Sequence, residues 1–329
     1  MRRQNKNADT VTYGVGGFSA ILSKVQIHLR DPFQGRKNGR NQNARRLDAV
    51  QNLMMQVCSA SFCMIYGDEP MTNCQSSSKF ANLLFVNVQI GDVRATALFD
   101  TGAGMTVIAQ SLLRRLCAAP EKEVLRAGNN NGVVRGLQTA GIPNIRLGDV
   151  CMENCKVLVT DDADFALSDE NGRIFPAEML LGWDVISRYR WSYSAKDESL
   201  SVSLPEKTAE HLSPEIKQGP IVFPEYAGRC FKARVDTGHT GSILSASWYS
   251  RLPEIAYHET EIAGVGASQY KRLPYVRVLP LWFQNQAIYL QDVDICDRLY
   301  GQPAEIEALL GYDFLEGRDW LLEQAFKLL

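Results

Sequence analysis

The sequence predicts an all-β protein built from two similar lobes, related by a pseudo-twofold axis and separated by a cleft. Three observations lead to this prediction. From Phe80 onward, short runs dense in Val, Ile, Leu and Phe alternate with turn residues; the tripeptide Asp-Thr-Gly occurs twice; and an apolar-apolar-Gly segment follows each copy. With 329 residues, 45% of them hydrophobic and 22% charged, the chain is long enough and apolar enough for two globular domains.

The apolar runs have the length of strands, and turn signals separate them. Leu83–Ile90 and Val93–Phe99 flank Gly91-Asp92, a pattern that predicts a β-hairpin whose second strand leads into Asp100. A later unit has the same order of strand, turn and strand before Asp236: Ile221–Phe223, Pro224–Gly228 and Cys230–Val235. Both aspartates are therefore expected at the end of a strand.

The chain also contains an internal repeat, which indicates two homologous lobes. The tripeptides Asp100–Gly102 and Asp236–Gly238 lie 136 positions apart (236 − 100). The same offset superposes Thr106–Ile108 on Ser242–Leu244 and Ala127-Gly128 on Ala263-Gly264, and a shift of seven residues then aligns Leu180–Asp184 with Leu309–Asp313.

Composition divides the chain into four parts. Residues 1–75 are rich in Asn, Gln, Arg, Ser and Gly, which predicts a polar, partly disordered extension with one amphipathic helix over Ala44–Val57. Residues 205–220 contain three prolines and are the expected linker. The lobes are then expected over 76–204 and 221–329.

Charge and composition argue against several classes of partner. The formal net charge of -2 gives no electrostatic reason for binding to nucleic acid or to an anionic membrane, and we expect the basic residues near the N-terminus to form a solvated tail. No run approaches the ~20 apolar residues of a membrane span, and no secretory signal is recognisable, so we expect a cytoplasmic protein.

The potential metal ligands are scattered. The eight cysteines are thinly spread and are expected to be free, mostly buried thiols. No Cys-x-x-Cys or His-x-x-x-His pair is present, so we predict no metal site.

Two Asp-Thr-Gly loops can carry out chemistry that one loop cannot. Glycine permits a tight turn, and two such loops related by a pseudo-twofold axis can bring their carboxylates face to face. Repulsion between like charges then leaves the pair holding a single proton. The ionised member can take a proton from water while the protonated member donates one to a peptide carbonyl, and no cofactor is required.

The residues from Ala97 to Ile108, with Asp100-Thr101-Gly102-Ala103 at their centre, resemble the active-site segment of the retropepsins, the retroviral-type aspartic proteases. Leu180–Gly182 and Leu309–Gly311 are similar to the segment that passes behind the catalytic loop in that family. Retropepsins are homodimers with one motif per chain, whereas two motifs in one chain resemble pepsins. The resemblance covers roughly residues 80–329 and implies an acid-protease fold that is active as a monomer.

Residue by residue, the resemblance implies that Asp100 and Asp236 form the catalytic pair. Thr101 and Thr237 would form hydrogen bonds across the lobe interface, and Gly102 and Gly238 would permit the turns. It also implies hairpin flaps over the substrate, for which the candidates are Gly128, Asn130 and Gly132 in the first lobe and Gly264, Val265 and Gly266 in the second. Surface hairpins that never touch substrate are the alternative interpretation.

His239 departs from the family pattern, which places a small residue after Asp-Thr-Gly, as Ala103 does in the first lobe. The imidazole is expected near the Asp236 carboxylate, where it would line a substrate pocket or bias the shared proton. The departure also fits a second site that has lost activity.

The function predicted from these residues is that of an aspartic endopeptidase, which binds an extended polypeptide across the cleft as an added strand. One alternative is a catalytically inactive peptide-binding module with the same fold. Another is a structural or assembly protein with a collapsed cleft.

Overall fold

The structure is a computed structural model that describes residues 83–128, 132–167, 174–205, 219–264, 267–323 and 325–329. The predicted extension over 1–75, its helix over Ala44–Val57 and most of the predicted linker over 205–220 lie outside these ranges.

The first lobe contains a seven-stranded sheet in the order β1-β2-β7-β3-β6-β5-β4, in which β1 also pairs with β5. Its elements are β1 (Phe85–Ile90), β2 (Val93–Phe99), β3 (Val107–Ala109), α1 (Gln110–Arg115), β4 (Val124–Gly128), β5 (Val134–Leu147), β6 (Val150–Thr160), a 3-10 turn (Asp162–Phe165), β7 (Met179–Leu181) and α2 (Trp183–Ile186). Two further strands follow, β8 (Arg190–Ser194) and β9 (Ser199–Ser203).

The second lobe contains a nine-stranded sheet in the order β10-β13-β18-β14-β17-β16-β11-β12, with β15 paired to β16. Its elements are β10 (Ile221–Val222), β11 (Glu225–Tyr226), β12 (Arg229–Cys230), β13 (Ala233–Val235), β14 (Ile243–Ser245), a 3-10 turn (Ala246–Trp248), β15 (Ala256–Gly264), β16 (Ala267–Phe283), β17 (Gln286–Cys296), β18 (Ala308–Leu310) and α3 (Tyr312–Leu315). The chain ends with β19 (Trp320–Leu322) and β20 (Phe326–Leu328).

A third sheet, in the order β20-β19-β8-β9, joins strands from the end of each half of the chain. It places Trp191 and Trp320, both fully buried, in the core that continues from one lobe into the other. The ring of Phe99, the residue before Asp100, lies edge-on to Trp191 at 4.8 Å between centroids. The floor beneath the first Asp-Thr-Gly loop is therefore built from both halves of the chain.

These sheets confirm the prediction of an all-β, bilobal acid-protease fold. The first predicted hairpin corresponds to β1 and β2, with the turn at Gly91 as expected. The second predicted unit is wrong in detail, because the expected turn contains β11, and the expected strand over Cys230–Val235 is split into β12 and β13. The break follows from packing, since the buried Phe231 between these strands contacts Trp248 edge-on at 4.7 Å.

The strand pairings show which residues of the two lobes are equivalent. Leu158 pairs with Val107 as Asp294 pairs with Ile243, which keeps the offset of 136. Leu137 and Leu273 keep the same offset, but their cross-strand partners, Leu125 and His258, lie 133 positions apart. Beyond its pair, each strand of the second hairpin is three residues longer than the corresponding strand of the first. The predicted match of Ala127-Gly128 with Ala263-Gly264 therefore aligns the ends of the two hairpins and not equivalent positions along them.

The five cysteines in the described part of the chain, Cys117, Cys151, Cys155, Cys230 and Cys296, are free thiols. The expectation that they would be mostly buried is wrong, because three of them are exposed and only Cys155 is buried. Within the described residues, no helix is long and apolar enough to cross a membrane, and no group of three or more His, Cys, Asp or Glu side chains could hold a metal ion.

Candidate active site

Each of the two aspartates leaves its sheet at the end of a central strand. Asp100 follows β2 and its N–H donates to the carbonyl of Leu181 at 3.0 Å, and Asp236 follows β13 and donates to the carbonyl of Leu310 at 2.8 Å. In each lobe this bond continues the parallel pairing with β7 or β18. The backbone at both aspartates is therefore fixed by the neighbouring strand.

The two loops meet so closely that each aspartate lies against the glycine of the other lobe. A Cβ atom added to Gly102 would overlap the carboxylate of Asp236, and one added to Gly238 would overlap the carboxylate of Asp100. Glycine is required at both positions for this close approach. The structure thus brings the two predicted aspartates to one place from the two lobes.

Thr101 and Thr237 exchange hydrogen bonds across the lobe interface. The hydroxyl of Thr101 donates to the carbonyl of Val235 at 2.8 Å and accepts from the N–H of Thr237 at 3.1 Å. The hydroxyl of Thr237 donates to the carbonyl of Phe99 at 2.6 Å and accepts from the N–H of Thr101 at 3.0 Å. Four buried groups are satisfied in this way, and the loops are held in a fixed mutual position.

The carboxylates receive different numbers of backbone hydrogen bonds. Oδ1 of Asp100 accepts from the N–H of Gly102 at 2.8 Å and from that of Ala103 at 2.9 Å. Oδ1 of Asp236 accepts from the N–H of Gly238 at 3.0 Å, whereas the N–H of His239 donates to the backbone carbonyl of Asp236 instead. The pseudo-twofold axis is therefore not exact at the site.

Burial is the main reason why the pKa of Asp100 is raised to about 7, and the negative charge of Asp236 raises it further. The hydrogen bonds from Ala103 and Gly102 and the charge of Arg234 oppose the shift but do not cancel it. Asp100 therefore retains a proton at acidic pH and up to near neutrality, and a coupled pair of this kind loses its protons in steps that belong to both groups.

A second pair of aspartates supports the loops from behind. Oδ1 of Asp184 accepts from both the N–H and the hydroxyl of Thr106, at 2.8 and 2.9 Å. In the other lobe, Asp313 accepts from the N–H and the hydroxyl of Ser242, at 3.0 and 2.7 Å. Burial raises the pKa of both carboxyl groups.

The apolar-apolar-Gly segments cross immediately behind these loops. The hydroxyl of Thr106 accepts from the N–H of Gly182, and that of Ser242 accepts from the N–H of Gly311, both at 3.1 Å. A Cβ atom on Gly182 would overlap the backbone of Met105. The repeated Asp after each Gly was visible in the sequence, but its supporting role required the structure.

The aspartates lie in a cleft of about 770 Å³ lined by both lobes. Its first-lobe wall is largely apolar and includes Leu98, Leu125, Leu137, Leu158, Phe175 and Leu180. Its second-lobe wall is more polar and includes Thr260, Glu261, Leu273, Asp292 and Asp294. An open cleft at the two loops can admit a polypeptide segment, whereas the structural-protein alternative predicted a collapsed one.

The candidate flap hairpins lie at this cleft. Gly128 and Val133 line it from the first lobe. Gly132 has a positive φ of 77°, and a Cβ atom there would lie 2.6 Å from the ring of Tyr300 in the second lobe. Gly264 ends β15 opposite Ala267. The other predicted flap residues, Asn130, Val265 and Gly266, lie outside the described residues.

His239 lines the cleft, but its ring is held by the turn that follows the motif. Nδ1 lies 2.5 Å from the carbonyl of Gly241. A positive charge on His239 lowers the pKa of Asp294 and that of Asp313. Its backbone carbonyl accepts from the N–H of Tyr312 at 2.8 Å, as that of Ala103 accepts from Trp183 at 2.7 Å, so the backbone role of this position is the same in both lobes.

Sequence reasoning missed two further features of the second lobe. His258 and Asp294 form a pair with 2.6 Å between Nε2 and Oδ1, at the positions of Leu125 and Leu158. Arg234, two residues before Asp236, is buried at the position of Leu98. The 136-residue offset aligns Arg234 with Leu98 and Asp294 with Leu158, so it could have identified both as polar replacements of leucine. It does not align His258 with Leu125, because the second hairpin is longer by three residues in each strand.

Residues 86–188 match a family model described as "gag-polyprotein putative aspartyl protease". The matched residues run from β1 through Asp100 and β7 to just beyond α2, so they cover the sheet of the first lobe. No curated protein matches the sequence.

Proposed function

We propose that this protein is an aspartic endopeptidase that hydrolyses peptide bonds with the Asp100 and Asp236 pair. One observation carries the proposal: each carboxylate lies against the Asp-Thr-Gly loop of the opposite lobe, inside a cleft open to a polypeptide. The match of the first lobe to an aspartyl protease family model supports it independently.

We assign the role of proton donor to Asp100, because burial and the charge of Asp236 raise its pKa. Ionised Asp236 takes a proton from water as the water oxygen attacks the peptide carbonyl carbon, and Asp100 donates its proton to the carbonyl oxygen. The tetrahedral diol collapses when the proton gained by Asp236 passes to the amide nitrogen and the C–N bond breaks. Asp100 then recovers a proton from the diol, so the pair returns to its starting state.

Backbone hydrogen bonds on Asp100 point to the oxygen that carries its proton. Oδ1 already accepts from Gly102 and Ala103, and an oxygen that accepts two donors is a poor place for a further hydrogen atom. Oδ2 is therefore the proposed donor to the substrate carbonyl.

The proposed substrate is an extended polypeptide segment lying across the cleft. The hairpins formed by β4 with β5 and by β15 with β16 border the cleft and offer backbone groups that an added strand can pair with. Because one chain supplies both carboxylates, we propose that the monomer is the active species, and activity per molecule should not change on dilution to nanomolar concentration.

The decisive experiment is cleavage of a diverse peptide library by the purified protein between pH 3 and 8. Asp100→Asn and Asp236→Asn should each reduce kcat/KM by about 10²–10⁴-fold or more, because one carboxyl group cannot both take a proton from water and donate one to the carbonyl oxygen. Asp149→Asn is the matched control, since Asp149 is exposed and lies outside the cleft lining. A transition-state analogue of peptide hydrolysis should inhibit the unmodified protein.

Two outcomes would contradict the proposal. Substantial cleavage by either purified Asn variant would exclude the pair as the catalytic groups. Binding of library peptides without cleavage at any pH would instead favour the inactive peptide-binding module.

A further inference from the structure

Arg234 is a charged residue in a place where the first lobe has a leucine. It lies in β13, two residues before Asp236, and is 7% exposed. Arg234 pairs with Leu309 as Leu98 pairs with Leu180, so Arg234 and Leu98 are equivalent. A leucine is thus sufficient for the packing of this strand in the first lobe. Packing therefore does not explain why the second lobe has a guanidinium group at this position.

The hydrogen bonds of Arg234 connect the second lobe to the catalytic loop of the first. Nη2 donates to the backbone carbonyl of Thr101 at 2.6 Å, directly after Asp100 in the chain. Nη1 donates to Oε1 of Gln302 at 3.3 Å. Within the described residues Nε has no hydrogen-bond partner, and no carboxylate forms a direct ion pair with the group.

The backbone is shaped to receive this guanidinium group. Gly219 has a φ of 135°, a backbone conformation that residues other than glycine rarely adopt. A Cβ atom at this position would lie 2.7 Å from Nε of Arg234. The main chain of Gly219 therefore packs directly on the guanidinium group. Burial of a charge in such a site is strongly unfavourable unless an opposite charge compensates for it.

The opposite charges that act on Arg234 are those of the aspartate pair. Burial lowers the pKa of Arg234, and the charges of Asp236 and Asp100 oppose that change. In the reverse direction, Arg234 lowers the pKa of Asp100. A pair that holds one proton has a net charge of about −1 and so matches the single positive charge of the guanidinium group.

We infer that Arg234 is the counter-cation of the aspartate pair, a positioning residue that favours its singly ionised form and fixes the first catalytic loop from the second lobe. The inference rests on the proposed function in one respect, since the singly ionised pair is the form that catalyses peptide hydrolysis.

The expected consequence is that the pH profile of kcat/KM lies at lower pH than it would without the arginine. A nearby positive charge favours ionised carboxylates, so it lowers both apparent pKa values of the coupled pair. Removal of the charge should move both limbs of the bell-shaped profile to higher pH. The other charged or titratable side chains that line the cleft are Arg126, Arg135, His239, Glu261, Asp292 and Asp294, and all of them remain in the variants described below.

The test compares Arg234→Gln with Arg234→Lys. Glutamine keeps an N–H donor but has no charge, whereas lysine keeps the charge but lacks the planar guanidinium group. In kcat/KM profiles, Arg234→Gln should move both limbs upward by about one pH unit. Arg234→Lys should keep both limbs within about half a unit of the unmodified protein. Arg114→Gln, which removes an arginine from an exposed pair with Asp162, is the control and should leave both limbs unchanged.

A second readout separates this inference from the proposed function. With ¹³C-labelled aspartate carboxyl groups, NMR titration follows the pair whether or not the protein cleaves peptides, and Asp100→Asn assigns its resonance. An upward shift of the Asp100 titration in Arg234→Gln supports the inference even if no cleavage is found. Lower folding stability with an unchanged titration in Arg234→Gln would overturn it and leave Arg234 a structural tie. If Arg234→Gln does not fold, an Arg234→Lys titration displaced by a full unit would overturn it as well.

Discussion

The two lobes agree closely behind the Asp-Thr-Gly loops and differ around them. Asp184 with Thr106 and Asp313 with Ser242 form the same hydrogen bonds in both lobes. Around the loops, three leucines of the first lobe are replaced by charged or titratable residues of the second: Leu98 by Arg234, Leu125 by His258 and Leu158 by Asp294. The positions that are alike in the two lobes hold the two carboxylates together. The positions that differ adjust the charge of the carboxylates and the polarity of the cleft.

This comparison indicates that the two-lobed fold tolerates asymmetry in side chains around the loops, but not where one backbone crosses another. A buried backbone crossing leaves no room for an additional atom, whereas a side chain at the edge of a cleft can change its polarity if water or a partner satisfies it. His258 and Asp294 illustrate the second case, because they satisfy one another and remain partly exposed.

The largest expected effect tests the equivalence of the two crossings. Gly182→Ala and Gly311→Ala should each lower the free energy of unfolding by about 3 kcal/mol or more, because the new methyl group would overlap the backbone of Met105 or of Gly241. Urea unfolding followed by tryptophan fluorescence measures the loss.

The matched controls are Gly104→Ala and Gly241→Ala, where no atom of the described residues lies within 4 Å of the new methyl group except in the adjoining residues. A loss below about 1 kcal/mol in only one of Gly182→Ala and Gly311→Ala would show that the two crossings are not equivalent.

An intermediate effect is expected at the threonine exchange. Thr101→Val and Thr237→Val should each destabilise the protein by about 2–3 kcal/mol, since each removes two hydrogen bonds and leaves a buried N–H and a buried carbonyl of the other lobe without partners. Thermal and urea unfolding at one pH measure the change.

Serine variants at the same two positions keep the hydroxyl group and serve as controls with a smaller loss. A Thr237→Val variant as stable as the unmodified protein, beside a destabilised Thr101→Val, would contradict the symmetry of the exchange.

The smallest expected effect concerns the character of the cleft. The carboxylate of Asp294 should favour substrates with a basic side chain on the second-lobe side, whereas Leu158 should favour an apolar side chain on the first-lobe side. Asp294→Leu should lower kcat/KM for a basic residue relative to an apolar one by about tenfold, or roughly 1.4 kcal/mol.

The reciprocal variant, Leu158→Asp, should introduce a preference for a basic residue on the other side of the scissile bond. Competition between paired peptides, read by mass spectrometry, measures both preferences. Unchanged ratios in both variants would show that these positions do not contact the substrate side chains.

Much of the fold was readable from the sequence because the repeat and the strand patterns are local. Gly91 with the flanking apolar runs predicted the first hairpin, and the repeated Leu-Leu-Gly segments predicted the two strands that cross behind the loops. The second unit was less predictable, because contact with Trp248 decides where its strand is broken at Phe231.

The sequence by itself determined the two lobes, the two aspartates and the glycines beside them. A tight loop at the end of a strand depends on a few adjacent residues, so its pattern can be recognised wherever it occurs in the chain. Only the tertiary structure decided that Arg234 lies under the first loop, that His258 corresponds to Leu125, and that β8 and β19 join in one sheet. Those relations depend on strand register and on contacts between residues far apart in the chain. A shift of three residues between paired strands changes which side chains face each other, and no local pattern records that shift.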